Sequence, residues 1–201
     1  MVLGFGILIF AYVPIFYSEI SYAINPPDYS TTEVSISDGV DSENVIVPDY
    51  KNVKPYNSKD GTFYILISKL GVEAPIVPNV STANKVEYMK ALENGVAHAK
   101  GTALPGEDGN TFLFAHSSLN FWKLGKYATV FNLLNKLENG DTIIIVKDGK
   151  PYLYQVYSKE IVKGWNTEPF DIEYSEPTLT MVTCYPPGST VNRLVIKAKK
   201  L

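Results

Sequence analysis

The sequence of 201 residues has one cysteine, Cys184, two histidines, His98 and His116, and no cluster of lysine or arginine. A lone thiol cannot close an internal disulfide, so Cys184 is either buried filler or a working group. One cysteine and two scattered histidines do not make a zinc ligand set. The formal net charge of −3, without a basic stretch, argues against nucleic acid as a partner, because phosphates need a positive face. No internal repeat is visible. Charge is missing altogether from residues 2–17, VLGFGILIFAYVPIFY; the first charged side chain is Glu19.

A helix needs about 20 apolar residues to cross the hydrocarbon core of a bilayer. The charge-free run is slightly short, contains Pro14 and lacks the basic residues that usually precede an inner-leaflet start. Residues 1–20 are expected to be a single membrane anchor. A signal peptide, with SYA at 21–23 as a weak cleavage site, and a buried core helix are the alternatives. Residues 21–57 are dominated by Pro, Ser, Asp, Thr and Asn and show no helical period. They are expected to form an extended tether that stands the folded part, 58–201, away from the membrane.

What is abundant from Gly61 onward is β-forming sequence. Aromatics make up 12%, including 14 tyrosines, and Tyr, Val, Ile and Thr favour strands. GTFYILISKL (61–70), Val72–Val77, Thr111–Ala115, TIIIVK (142–147), Pro151–Val162, Thr178–Thr183 and Leu194–Lys199 are expected strands. Asp148-Gly149 between two of these runs predicts a hairpin, because glycine tolerates positive φ. Two short helices are expected. Asn84–Leu92 has Val86, Met89 and Leu92 at helical spacing, and Phe131–Leu137 has Phe131, Leu134 and Leu137 on one side. Seven or eight short strands with few helices suit a closed, mostly β barrel, since closure removes exposed edges.

Three residues could do chemistry together. Cys184 follows a strand and precedes Tyr-Pro-Pro-Gly, so it is held from behind and open in front. His116 sits at the end of TFLFA. His98, in GVAHAKG, is the weaker second histidine, placed in a turn before Gly101. Arg193 opens the last strand, nine positions after Cys184, so neighbouring strands would return its guanidinium to the thiol. Each residue also has a bland explanation: core filler, a satisfied structural histidine, a surface ion pair. Together they supply a nucleophile, an acid/base and a stabiliser for an oxyanion, which is the equipment for acyl transfer.

The stretch TLTMVTCYPPGSTVNRLVIKA resembles the signature of the sortases, in which a T-L-x-T-C strand end leads through a Pro/Gly loop to an arginine on the last strand. Met181 replaces the leucine and keeps its size and apolarity. GVAHAKGTALPGEDGNTFLFAH is similar to a second block of that family, with Gly95, Gly101, Thr102, Pro105, Gly106, Gly109, Asn110 and His116 in place. FNLLNKLENGDTIII is similar to a third, and the likeness runs from about Gly61 to Leu201. Ala115 stands where the family often has Gly, and Ser117 where some members have Arg.

The resemblance implies an eight-stranded β-barrel on the outer face of a bacterial membrane. It implies a cysteine transpeptidase that cuts an LPxTG-like sorting signal between Thr and Gly and joins the Thr carbonyl to an amine on cell-wall precursor or on a pilin. Cys184 is then the nucleophile, His116 the general acid/base and Arg193 the oxyanion or substrate stabiliser. Thr183, Ala115 and Ser117, which flank them, are implied substrate contacts. The Cys-to-Arg spacing is similar to that of classes outside the best-known housekeeping one. No cofactor is expected: some members bind calcium, but no carboxylate cluster in this sequence predicts it. Two alternatives are a catalytically silent barrel that binds at the cell surface and an L,D-transpeptidase-like enzyme. Such transpeptidases carry Ser-His-Gly-Cys with Arg close behind, whereas Tyr185-Pro186-Pro187 follows the cysteine here.

Overall fold

The computed structural model describes residues 17, 19–27, 31–35, 44–48, 63–117, 126–171 and 174–201. The proposed anchor falls almost wholly outside them, as does most of the proposed tether. Among the described residues no helix is long and apolar enough to cross a membrane.

Ten strands are described, in the order β1 Thr31–Ser35, β2 Asn44–Pro48, β3 Phe63–Ile67, β4 Val72–Val80, β5 Val96–Ala99, β6 Gly109–Phe114, β7 Thr142–Lys147, β8 Lys150–Lys163, β9 Pro177–Tyr185 and β10 Asn192–Lys200. The first two pair only with each other, antiparallel, Thr32 opposite Val47. The other eight close into a barrel in the order β10-β8-β7-β3-β4-β5-β6-β9. The closed barrel expected from the strand count is the observed architecture. Most neighbours are antiparallel, but β4–β5 and β6–β9 run parallel. The second parallel pair positions the site described below.

The period of two decides what faces inward. Ile65, Ile67, Leu113, Ile143, Ile145, Leu179, Met181, Leu194 and Ile196 are buried in one core cluster. At about 0.8 kcal/mol per buried methylene, this continuous lining is the main stabilising term. The β7–β8 hairpin turns at Asp148 and Gly149, with φ of 52° and 78°. Two left-handed residues match the twist of the flanking strands, which is why Asp-Gly signals such a turn.

Four expectations need correction in detail. The strand from Gly61 ends at Ile67; Ser68–Leu70 is a 3₁₀ turn closed by left-handed Gly71 (φ 63°). Phe131–Leu137 contains only a short 3₁₀ helix, Leu134–Lys136. Phe131, Leu134 and Leu137 are all buried, but their spacing of three is the period of a 3₁₀ helix rather than of an α-helix. The helix Lys85–Asn94 starts where expected, with the Asn84 side chain capping the Glu87 N–H at 3.2 Å. It turns Tyr88, Ala91 and Leu92 to the barrel and leaves Val86 80% exposed. His98 lies in β5, not in a turn.

Gly106 is a glycine whose replacement should be costly. Its φ is +84°, an added Cβ would run into the Tyr152 ring, and its N–H donates to the buried Tyr154 hydroxyl at 3.0 Å. Gly106→Ala is expected to lose about 2 kcal/mol or more, from left-handed strain plus the displaced ring. Urea unfolding measures this, and a loss below about 0.5 kcal/mol would contradict it.

Candidate active site

Because β6 and β9 run parallel, both chains leave the barrel at the same end. The ladder pairs Phe114 with Val182 and continues past the last strand residue. The Ala115 N–H donates to the Val182 carbonyl at 3.2 Å, the Thr183 hydroxyl donates to the Ala115 carbonyl at 2.8 Å, and the Ser117 hydroxyl donates to the Cys184 carbonyl. The Gly188 N–H closes the far side on the Ser117 carbonyl at 2.8 Å. His116 and Cys184 therefore sit level with each other on adjacent strand ends.

Arg193 comes from the other side of β9. The β9–β10 ladder places it directly opposite Cys184. Residues opposite each other in an antiparallel pair share a face, with Cβ atoms about 4.5–5.5 Å apart. That face is the outer one. Leu179 and Met181 point into the core, while Val182 and Cys184 line a surface cavity. Cys184 lies inside the strand rather than after it, and it is half-exposed. Position within a strand thus did not mark the thiol as inert; the parity of the position did.

The cavity measures about 760 Å³ and contains all six residues expected at the site: Ala115, His116, Ser117, Thr183, Cys184 and Arg193. Thr183 and Ser117 are nearly inaccessible, and their hydroxyls are taken up in tying the two strands together. The remaining wall is largely apolar. Phe112, Phe114 and Val182 form the floor, Tyr88, Met89 and Leu92 of the helix form one side, and Phe170 stands on the other. Phe170 meets Phe112 edge-to-face at 5.1 Å between centroids, and Tyr88 meets Phe114 at 6.5 Å. The sequence reading missed this groove. The alternation of Phe112 and Phe114, two positions apart on a strand, was its available signal.

The loop 186–191 sets the guanidinium. Arg193 Nη1 donates to the carbonyls of Thr190 at 2.9 Å and Asn192 at 3.1 Å. Arg193 is also the only arginine in the chain, and its planar guanidinium keeps further N–H donors beyond those spent on the loop.

Burial favours the neutral form of His116. Burial pushes its pKa below 6.5, and the Glu93 carboxylate offsets only part of that. Among the described residues its Nε2 is buried without a partner. His98 is built differently. Its Nδ1 accepts from the Asn79 N–H at 3.3 Å, so the ring proton sits on Nε2, which faces the Ala103 carbonyl at 3.1 Å and the Thr102 hydroxyl at 3.0 Å. Every ring atom able to bond is used, which makes His98 structural. Its pKa is likewise lowered, chiefly by burial.

Both histidines bind protons more weakly folded than unfolded. The unfolded chain therefore takes up more protons as pH falls below about 6.5. Stability due to these groups is full above that value and is lost as pH falls towards the depressed folded values. The urea midpoint is expected to be lower at pH 5.5 than at pH 7.5, and NMR titration should place both imidazoles below 6.5. A midpoint for either at or above 6.5 would contradict the burial argument.

Among the described residues no group of three or more His, Cys, Asp or Glu side chains could hold a metal ion.

Residues 65–201 match the family model described as Sortase domain. Sortase D of Bacillus subtilis (strain 168) is 27% identical over 138 residues, covering 67% of this chain and 61% of that protein. The chain thus spans about three-fifths of the length of this relative. Among solved structures, a Clostridium perfringens sortase D5 transpeptidase shares 27% identity, with a TM-score of 0.57 and coverage of 75% of this chain and 83% of that one. Sortase C-1 of Actinomyces oris shares 25% identity, with a TM-score of 0.59 and coverage of 75% and 76%.

Proposed function

Since this chain belongs to the sortase family, we propose that it is a cysteine transpeptidase that cleaves an LPxTG-like sorting signal between Thr and Gly and passes the acyl group to an amine. The observation that carries this is the common cavity of Cys184, His116 and Arg193 at one end of the barrel, with Cys184 facing Arg193 across the β9–β10 ladder.

The chemistry follows from the parts. Neutral His116 takes the proton of the Cys184 thiol as sulfur attacks the Thr carbonyl carbon. Arg193 donates to the carbonyl oxygen while it carries negative charge. The imidazolium then gives its proton to the departing Gly nitrogen, the C–N bond breaks, and a thioester remains on Cys184. An incoming amine attacks that thioester, His116 accepts the amine proton, and the thiol is regenerated when that proton returns to sulfur. The apolar floor and sides suit a leucine and proline side chain, while Thr183, Ala115 and Ser117, buried behind the thiol, tie the two strands together and position it rather than touch substrate. No step calls for a cofactor.

The acceptor is an amine on cell-wall precursor or on a pilin, and the domain works outside a bacterial membrane on an anchor formed by residues 1–20. Mass spectrometry of products from a small library of LPxTG-like peptides, offered different amines, tests the reading. The expected product joins the Thr carbonyl to the amine with loss of the Gly-terminal fragment. A library in which no peptide is cut or joined would overturn it.

A further inference from the structure

The chain attaches to the barrel as soon as it leaves its charge-free run. The Glu19 carboxylate meets Lys136 Nζ at 2.7 Å. Tyr22 packs against the core cluster. Pro27 lies against Gly71, where an added Cβ would stand 3.1 Å from Pro27 Cγ. Residues 19–24 are helical, so Glu19 and Tyr22, three apart, share the face turned to the barrel. The face turned away carries Tyr17, Ile20 and Ile24, at spacings of three and four, which are 73%, 53% and 71% exposed. Single exposed apolar side chains are ordinary. An apolar stripe on a helix that directly continues sixteen charge-free residues, 2–17, is of another kind, and a tyrosine at its start suits the headgroup layer.

Connectivity adds a second argument. Pro27 rests on Gly71, just beyond the end of β3, and Phe63 opens that same strand. Pro27 and Phe63, which flank residues 28–62, therefore lie within about one strand length of each other, roughly 15–20 Å. As a free coil a chain of about 35 residues would put its ends roughly 30 Å apart on average. The β1–β2 pair comes after Pro27 in the chain, whereas Glu19, Tyr22 and Pro27 already meet the barrel before it.

We propose that residues 17–27 lie in the surface of a lipid bilayer and clamp the barrel directly against it, so that the catalytic domain is held at fixed height and orientation instead of swinging on a spacer. The inference rests on reading residues 1–20 as a membrane anchor and goes beyond it in naming the contact face and in removing the spacer.

The test uses the full chain in vesicles that contain acceptor-labelled lipid, with a donor dye on Val86→Cys in a Cys184→Ala background. A flexible Gly-Ser segment of about 20 residues is inserted directly after Pro27. Energy transfer is expected to be unchanged by the insertion in the clamped protein. It is expected to fall with the same insertion when Glu19→Lys and Tyr22→Asp release the clamp. A dye on Ile24→Cys should be quenched by spin label at the lipid headgroups. Transfer that drops on insertion with the clamp intact would overturn the inference while leaving the anchor standing. So would an Ile24→Cys dye shielded only by a second copy of the chain or by its own apolar run. A full chain that does not float with vesicles would overturn the anchor reading as well.

Discussion

Cys184→Ala is expected to abolish turnover of any LPxTG-type peptide, by at least about 10⁴-fold in kcat, with peptide binding nearly intact. The size of the loss follows from the chemistry. Removing the nucleophile of a covalent mechanism costs on the order of 10⁴ to 10⁶, and no other thiol lines the site. The chain contains no second cysteine to substitute, and the nearby Ser117 hydroxyl is buried and committed to the Cys184 carbonyl. Folding should be spared. Cys184 is half-exposed on the outer face of the barrel, and its backbone bonds do not depend on the sulfur. Steady-state kinetics together with a melting curve separates the two effects. A folded variant that still cleaved would remove the thioester from the mechanism.

Arg193→Ala should reduce kcat by about 10²- to 10³-fold, or about 3–4 kcal/mol of transition-state stabilisation, the usual effect of losing an oxyanion donor. KM should change far less, because the carbonyl oxygen carries full charge only in the transition state. Nη1 is occupied by the Thr190 and Asn192 carbonyls, so the bond to substrate falls to Nη2 or Nε. Arg193→Lys keeps the charge but not the fork, and should fall between wild type and Ala. A loss of less than about threefold for Arg193→Ala would reduce the residue to scaffold, holding the loop through the Thr190 and Asn192 carbonyls.

These two predictions come from residues legible in the sequence, while much of the geometry that gives them force was not. β-branched runs such as TIIIV marked the strands, and Asp148-Gly149 marked the hairpin, because both signals are local. The convergence of His116 and Cys184 depends on the parallel pairing of β6 with β9, strands more than sixty residues apart. Nothing local encodes that pairing; the resemblance to sortases implied that the two residues act together, and the structure shows the strand pairing that brings them level. Helix type was misread at Phe131–Leu137, where burial set the spacing of the apolar residues and a period of three is close to 3.6 over two turns. The face of Lys85–Asn94 was misassigned because Val86 satisfies the helical pattern yet stays in solvent. The groove walls were missed because Phe112 and Phe114 read as core when the strand is taken alone. Their alternation puts them on one face, and the closed barrel shows that this face is the outer one. The tether was read from composition, and composition does not report that Tyr22 and Pro27 touch the barrel.

Everything rests on an acyl group passing through one sulfur. Intact-protein mass spectrometry of the wild-type chain, mixed with a sorting-signal peptide and no added amine, examines that step alone. The mass should increase by the peptide up to its Thr carbonyl, less the hydrogen lost from the thiol. Tandem fragmentation should place the adduct on Cys184, and hydroxylamine should discharge it. Product accumulating with no adduct on the protein, or an adduct on any residue other than Cys184, would contradict it.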